Sequence, residues 1–318
     1  KRLRGKKGNI QMYGQNLFEE IEKYSQKAGI IAATEPHDVI YAHDWMTFKA
    51  AIEAQKVSKK PLIVHIHSTE FDRTGGHGAN QYVYDAELQG MKAASAVIAV
   101  SNFTKNKILQ HYDVPAEKIH VVHNAVIPAP LHLARHKKKN KTVLYLGRIT
   151  LQKGPEYFLY AAKKVLEHNP DTNFVMAGSG DMERRMIETA AGLGIAENVL
   201  FTGFLNEQKV HDAYRMADLY VMPSVSEPFG ITALEAMINK TPVIISKQSG
   251  VSEVVSHCLK VDFWDVDKMA DMILGVLEYP ELGTTLKQNG NNEATNISWD
   301  NSAKRCLEVF AKIGVTNG

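Results

Sequence analysis

Short apolar, β-branched runs alternate with longer amphipathic stretches along almost the whole chain. This rhythm restricts the fold more than any other feature. In the first part the runs are "DVIYAH" (Asp38 to His43), "PLIVHIH" (Pro61 to His67), "SAVIAVS" (Ser95 to Ser101) and "KIHVVHN" (Lys118 to Asn124). The second part adds "KTVLYLG" from Lys141, "TNFVMAG" from Thr172, "NVLFTG" from Asn198, "ADLYVMP" from Ala217 and "TPVIIS" from Thr241. Apolar runs of this length between helical patterns predict parallel strands, because crossover helices bury both faces of such a sheet. The expected class is α/β.

The rhythm breaks at "VIPAPLHLARHKKKNK" (residues 126–141), which carries two prolines and a run of positive charge. A domain boundary is expected there, dividing residues 1–130 from residues 131–318. Two doubly wound, Rossmann-like domains would face each other across a cleft lined by the C-terminal ends of their strands, where ligands bind in such sheets. A length of 318 residues suits two domains of ~100–200 residues each. The chain opens on "KRLRGKKGNI" and a helical stretch to about Ala33, without the strand and glycine-rich turn that usually begin such a domain. The N-terminal domain is therefore expected to be incomplete.

A formal net charge of +2 gives no electrostatic footprint for nucleic acid. The basic cluster "HLARHKKKNK" reads as a solvated linker. No apolar run approaches the ~20 residues of a membrane span. Cys258 and Cys306 are too far apart to suggest a disulfide framework or a metal knuckle, which points to the cytoplasm. The sequons at Asn102 and Asn296 are then chance matches. The oligomeric state is not legible.

Candidate chemistry gathers at the strand ends. "VLYLGRITLQKG" puts Gly147 and Arg148 directly after a strand, then Lys153 and Gly154 at a helix start. Two cations beside a helix N-terminus suit a diphosphate, though a loop with two solvated cations would look the same. "FVMAGSGD" gives a Gly-Ser-Gly turn in which Gly178 either meets a ligand or serves the turn, with Asp181 as a helix cap. In "SVSEPFGITALEAM", Thr232 and Glu235 fit a capping box. That box leaves Glu227 unexplained, as well as Gly230, where a bare backbone could bring the N–H groups of Ile231 and Thr232 to a phosphate. In the first part, His65 and His67 share one face of a strand, and His43, Asp44 and Trp45 end the strand before it. A metal site at these histidines is set aside, since no ligand pair has the helical or loop spacing of zinc sites. The D-x-D triplet Asp265 to Asp267 precedes a helix and reads as its cap.

Together these pieces resemble the retaining glycosyltransferases of the GT-B fold, in the branch that includes glycogen and sucrose synthases. The resemblance runs from "DVIYAHDW" to "NISWDNSAKR", and its most specific motif is E-x7-E, here Glu227 to Glu235. The "GRITLQKG" loop is the second, and "HDW" (His43 to Trp45) with "HIHSTEFDR" are closest to the glycogen-synthase branch. The resemblance implies that Arg148 and Lys153 neutralise the donor's diphosphate. Gly147, Gly178, Phe229, Gly230, Ile231 and Thr232 would belong to the nucleotide-sugar site. Glu227 would bind hydroxyls of the transferred sugar and Glu235 those of the ribose. His67 would contact the sugar, and Asp44 would lie towards the acceptor.

The implied reaction moves a hexosyl unit, glucosyl first among them, from UDP- or ADP-glucose to an α-glucan or related carbohydrate. It retains anomeric configuration by front-face attack and needs no cofactor and no metal. The alternatives are a mannosyl or N-acetylglucosaminyl donor serving a surface polysaccharide or glycolipid, and a truncated nucleotide-binding module without turnover. The family's early Gly-Gly loop has no match before Asp38, and "RTGGHG" (Arg73 to Gly78) follows a later strand. The last helix, residues 299–314, would cross back onto the first domain.

Overall fold

A computed structural model describes residues 16–76, 78–128 and 140–315. Most of the expected boundary segment, the opening "KRLRGKKGNI" and His77 of "RTGGHG" lie outside the described residues. The first half runs α1 (Leu17–Thr34), β1 (Ile40–His43), α2 (Trp45–Ser58), β2 (Leu62–Ile66), α3 (Glu70–Arg73), α4 (Gln81–Ala93), β3 (Ala96–Ala99), α5 (Asn102–His111) and β4 (Ile119–Val121). The second runs β5 (Thr142–Leu146), α6 (Pro155–His168), β6 (Asn173–Ala177), α7 (Glu183–Gly192), β7 (Val199–Gly203), α8 (Glu207–Met216), β8 (Leu219–Met222), α9 (Ile231–Ile238), β9 (Val243–Ser246), β10 (Leu259–Val261), α10 (Val266–Glu278), α11 (Pro280–Thr295) and α12 (Trp299–Lys312).

Every strand pairing is parallel. The first sheet has the order β1-β2-β3-β4 and the second β10-β9-β8-β5-β6-β7. All residues of β2, β3, β8 and β9 are buried, which is why these strands are almost entirely hydrophobic, His65 of β2 and Ser246 of β9 being the polar exceptions. Among the described strands β1 pairs with β2 alone. The second sheet gains β10, a three-residue strand too short to stand out from its surroundings in sequence.

Helix starts follow local chemistry where a polar side chain reaches the backbone. Asn80, Ser101, Asn206, Asp265 and Ser298 cap α4, α5, α8, α10 and α12. Asp265 of the D-x-D triplet accepts the Lys268 N–H at 3.0 Å. Two expected caps are corrected. The α7 N-cap is Met182 with no side-chain bond, so Asp181 lies one residue too early. Gly230 takes the α9 N-cap position itself, placing Thr232 inside the first turn, where a capping box cannot form.

The last helix, α12, packs on the first sheet. Val309 is buried with Ile63, Ala96, Ile98 and Val122, and the Phe310 ring meets Tyr41 edge-on at 5.1 Å. Further contacts tie the halves near the cleft. The Glu253 carboxylate accepts the Asn102 and Phe103 N–H groups at 2.9 and 2.6 Å, at the N-terminus of α5. An anion there answers the orphan donors and the helix dipole. Ser101 donates to the Pro228 carbonyl at 2.5 Å, and Ser226 to buried Asp72 at 2.6 Å.

Candidate active site

The winding of the second sheet reverses between β5 and β8. A crevice opens outside the strand ends at such a switch point, because the connections leave to opposite faces. A cavity of about 240 Å³ lies there, lined in part by Gly147 and Arg148 after β5, Lys153 before α6, Ser224 and Glu227 after β8, and Thr232 of α9. A neighbouring cavity of about 470 Å³ holds Glu235 and Ile231, with Ala125 to Pro128 and Trp299 in its wall. Leu146 lines both, so α9 starts between them with Thr232 on one side and Ile231 on the other.

Within the smaller cavity the charges are already partnered. Lys153 Nζ stands 2.5 Å from Glu227 Oε2, with the two side chains 21% and 7% exposed. Ser224 donates to the same oxygen at 3.0 Å. Arg148 reaches Gln152 Oε1 at 3.3 Å. Thr232 Oγ1 accepts from Tyr220 at 2.9 Å. Burial pushes the Tyr220 phenol far up, so it stays a neutral donor. Glu235 accepts from buried Tyr214 at 3.0 Å.

Three predicted positions stand back from both cavities. Phe229 is 2% exposed in the apolar core beneath α9. Gly178, at φ +132°, brings its backbone against the Gly147 carbonyl, where an added Cβ would sit 1.9 Å away. Its glycine requirement is thus set by loop packing. Gly230, at φ +108°, faces the side chains of Met222 and Glu227 and lets the chain turn sharply from the Glu227 loop into α9.

His67 and Asp44 sit at the C-terminal edge of the first sheet and line neither cavity. Asp44 adopts φ 57°, ψ 166°, a region usually left to glycine. Its carboxylate accepts the His67 N–H at 2.8 Å, so it fixes the backbone that carries His67. His43, His65 and His67 form a cluster: His43 Nδ1 lies 2.9 Å from His67 Nε2, and the His65 and His67 rings stack at 4.3 Å. Burial, then the neighbouring His67 and His43, pushes the His65 imidazole down to about 3. The three rings come together although no pair of them has the helical or loop spacing sought in the sequence. H-x-H on a strand places both rings on one face, and the parallel register sets His43 beside His65.

Several contributors have no local signal in the sequence. Tyr145, Tyr220 and Ser224 are a strand interior and a loop serine, and Trp299 reaches the second cavity only because the chain returns.

Residues 133–293 match the family model described as glycosyl transferases group 1, and residues 21–129 match glycosyltransferase family 4. The chain is 33% identical to an uncharacterized glycosyltransferase of Methanocaldococcus jannaschii, over 92% of this chain and 79% of the relative. It is 29% identical to a glycogen synthase of Mycobacterium tuberculosis, over 86% of this chain and 68% of that protein. The structure of Anabaena HepE in complex with UDP and glucose superposes with a TM-score of 0.77 at 20% identity, covering 94% of this chain and 83% of that one. At that identity the superposition speaks for the shared fold.

Proposed function

The chain belongs to the glycosyl transferases group 1 family and has the GT-B fold, and from that premise we propose that it transfers a hexosyl unit, glucosyl first among them, from a nucleotide sugar to an α-glucan or related carbohydrate with retention of configuration. The observation that carries this reading is the cavity at the switch point, which gathers Arg148, Lys153, Glu227 and Thr232 around the start of α9.

Lys153 and Glu227 neutralise each other in the free protein. A diphosphate entering the cavity draws Lys153 towards its oxygens beside Arg148 and the N-terminus of α9. That leaves the Glu227 carboxylate, with Ser224 still donating to Oε2, able to accept from hydroxyls of the transferred sugar. In the adjoining cavity Glu235 accepts from the ribose, its second oxygen held by Tyr214. Departure of the nucleoside diphosphate builds negative charge beside two fixed cations, and this electrostatic stabilisation supplies the main rate effect without a metal. His67 approaches the sugar from the first sheet, its backbone held by Asp44. The acceptor hydroxyl attacks from the face the diphosphate leaves and passes its proton to the departing phosphate oxygen.

UDP as the nucleotide draws support from the HepE complex, and a glucan acceptor from the relative named a glycogen synthase. The test is a donor panel of UDP-glucose, ADP-glucose, GDP-mannose and UDP-N-acetylglucosamine with glucan acceptors. Transfer from either glucose donor is expected. Turnover of only the last two donors would replace the glucan reading with a surface-polysaccharide or glycolipid one.

A further inference from the structure

We propose that His43, His65 and His67 form a binding site for a borderline-soft divalent cation of the zinc class. One ring nitrogen from each residue lies within 4.8 Å of the other two. Zinc–nitrogen bonds of ~2.0–2.1 Å place tetrahedral ligands ~3.3 Å apart, so small side-chain rotations bring these three onto one ion. His43 and His67 already meet at 2.9 Å. The donors are three imidazoles, a set that favours zinc, cobalt, nickel and copper over the oxygen-seeking magnesium and calcium.

A second, independent observation points the same way. His65 is 6% exposed, and its Nε2 is a buried nitrogen with no hydrogen-bond partner. Such an orphan is unusual, because burying a polar atom without a partner is costly. Its other nitrogen, Nδ1, lies 2.6 Å from Tyr41 Oη, which in turn contacts Cys306 Sγ at 3.7 Å. Histidines that ligate metals commonly donate their second N–H to such a partner, which fixes the tautomer and aims the lone pair. With Nδ1–H donated to Tyr41, His65 Nε2 is a lone pair held ready for a cation. Three protein ligands leave a fourth position open to water. An ion held here engages the ring that the donor-binding mode gives to the sugar, so it opposes transfer. That consequence rests on the proposed function; the site itself does not.

The experiment is a titration of the chelator-stripped full chain with Co²⁺, followed by the visible bands of a low-coordinate cobalt site, then displacement by Zn²⁺. One equivalent is expected to bind. His43→Gln and His67→Gln, both at accessible positions, are each expected to weaken binding ~10-fold or more, and Tyr41→Phe ~10–100-fold, with circular dichroism unchanged. No stoichiometric band, or binding unaltered in both histidine variants, overturns the site. UDP and ADP binding measured in parallel keeps the two readings apart. Binding of either nucleotide without cobalt sinks the metal site alone, and cobalt without either nucleotide sinks the donor reading alone.

Discussion

Lys153→Ala removes one half of the 2.5 Å ion pair and leaves Glu227, 7% exposed, with its charge uncompensated beside Ser224. Removing one partner of a buried pair costs ~3–5 kcal/mol, since the survivor stays desolvated. Lys153 is itself 21% exposed, so water reaches the gap and the expected loss falls to ~2 kcal/mol. Glu227→Gln alone is expected to cost ~1 kcal/mol, because the freed ammonium can turn to solvent. In the double variant no buried charge remains unpaired, so its loss should fall below the sum of the singles by ~1–2 kcal/mol. Urea unfolding of the four proteins measures this coupling. Turnover should behave differently: Lys153→Ala is expected to lose ~10²-fold or more, and Glu227→Gln should restore none of it, because the diphosphate still lacks its cation. Additive stabilities, or unchanged turnover in Lys153→Ala, would refute the argument.

Arg148→Ala is also expected to cut transfer by ~10²-fold or more, measured as kcat/KM for the donor, and full activity would remove Arg148 from the diphosphate site. Gly178→Ala puts a Cβ 1.9 Å from the Gly147 carbonyl at a strained φ of +132°. A loss of ~3 kcal/mol or more is expected in urea unfolding, and a variant as stable as the parent would contradict the packing described. Burial alone would raise the Glu253 carboxyl, but bonds from His123 and the Asn102 and Phe103 N–H groups outweigh it and hold it lowered. A depressed carboxylate stabilises above its ordinary value of about 4.5 and loses that contribution as pH falls through the folded value. The stability gap between the parent and Glu253→Gln should therefore narrow progressively below pH ~4.5, and a gap independent of pH would rule this out.

The fold class was legible because burial on both faces makes strands such as Ala96–Ala99 and Leu219–Met222 near-continuous hydrophobic runs, and periodicity records that directly. Arg148, Lys153, Glu227 and Thr232 were legible for a related reason. Each lies in the loop after β5 or β8 or at the start of the helix that follows, and the strand ends at a switch point share one crevice. What sequence could not show was which side chains already hold each other. The Lys153–Glu227 pair spans 74 positions, and no local pattern encodes it. Nor does the place of Phe229 in the motif reveal that its ring belongs to the core. The histidine cluster was missed because ligand spacing was sought on helices and loops rather than along a strand and its parallel neighbour.

The packing of α12 on the first sheet bears on how the chain is made. Ile63, Ala96, Ile98 and Val122 leave the ribosome well before Val309, which completes their cover. During synthesis that sheet face stays open to water or to other chains until nearly two hundred further residues have followed, ~10–40 s at ordinary elongation rates. The first half thus reaches its final stability last, although its own strands are made first. Truncating the chain before α12 would leave an early-made sheet permanently uncovered, and aggregation during expression is the symptom to expect.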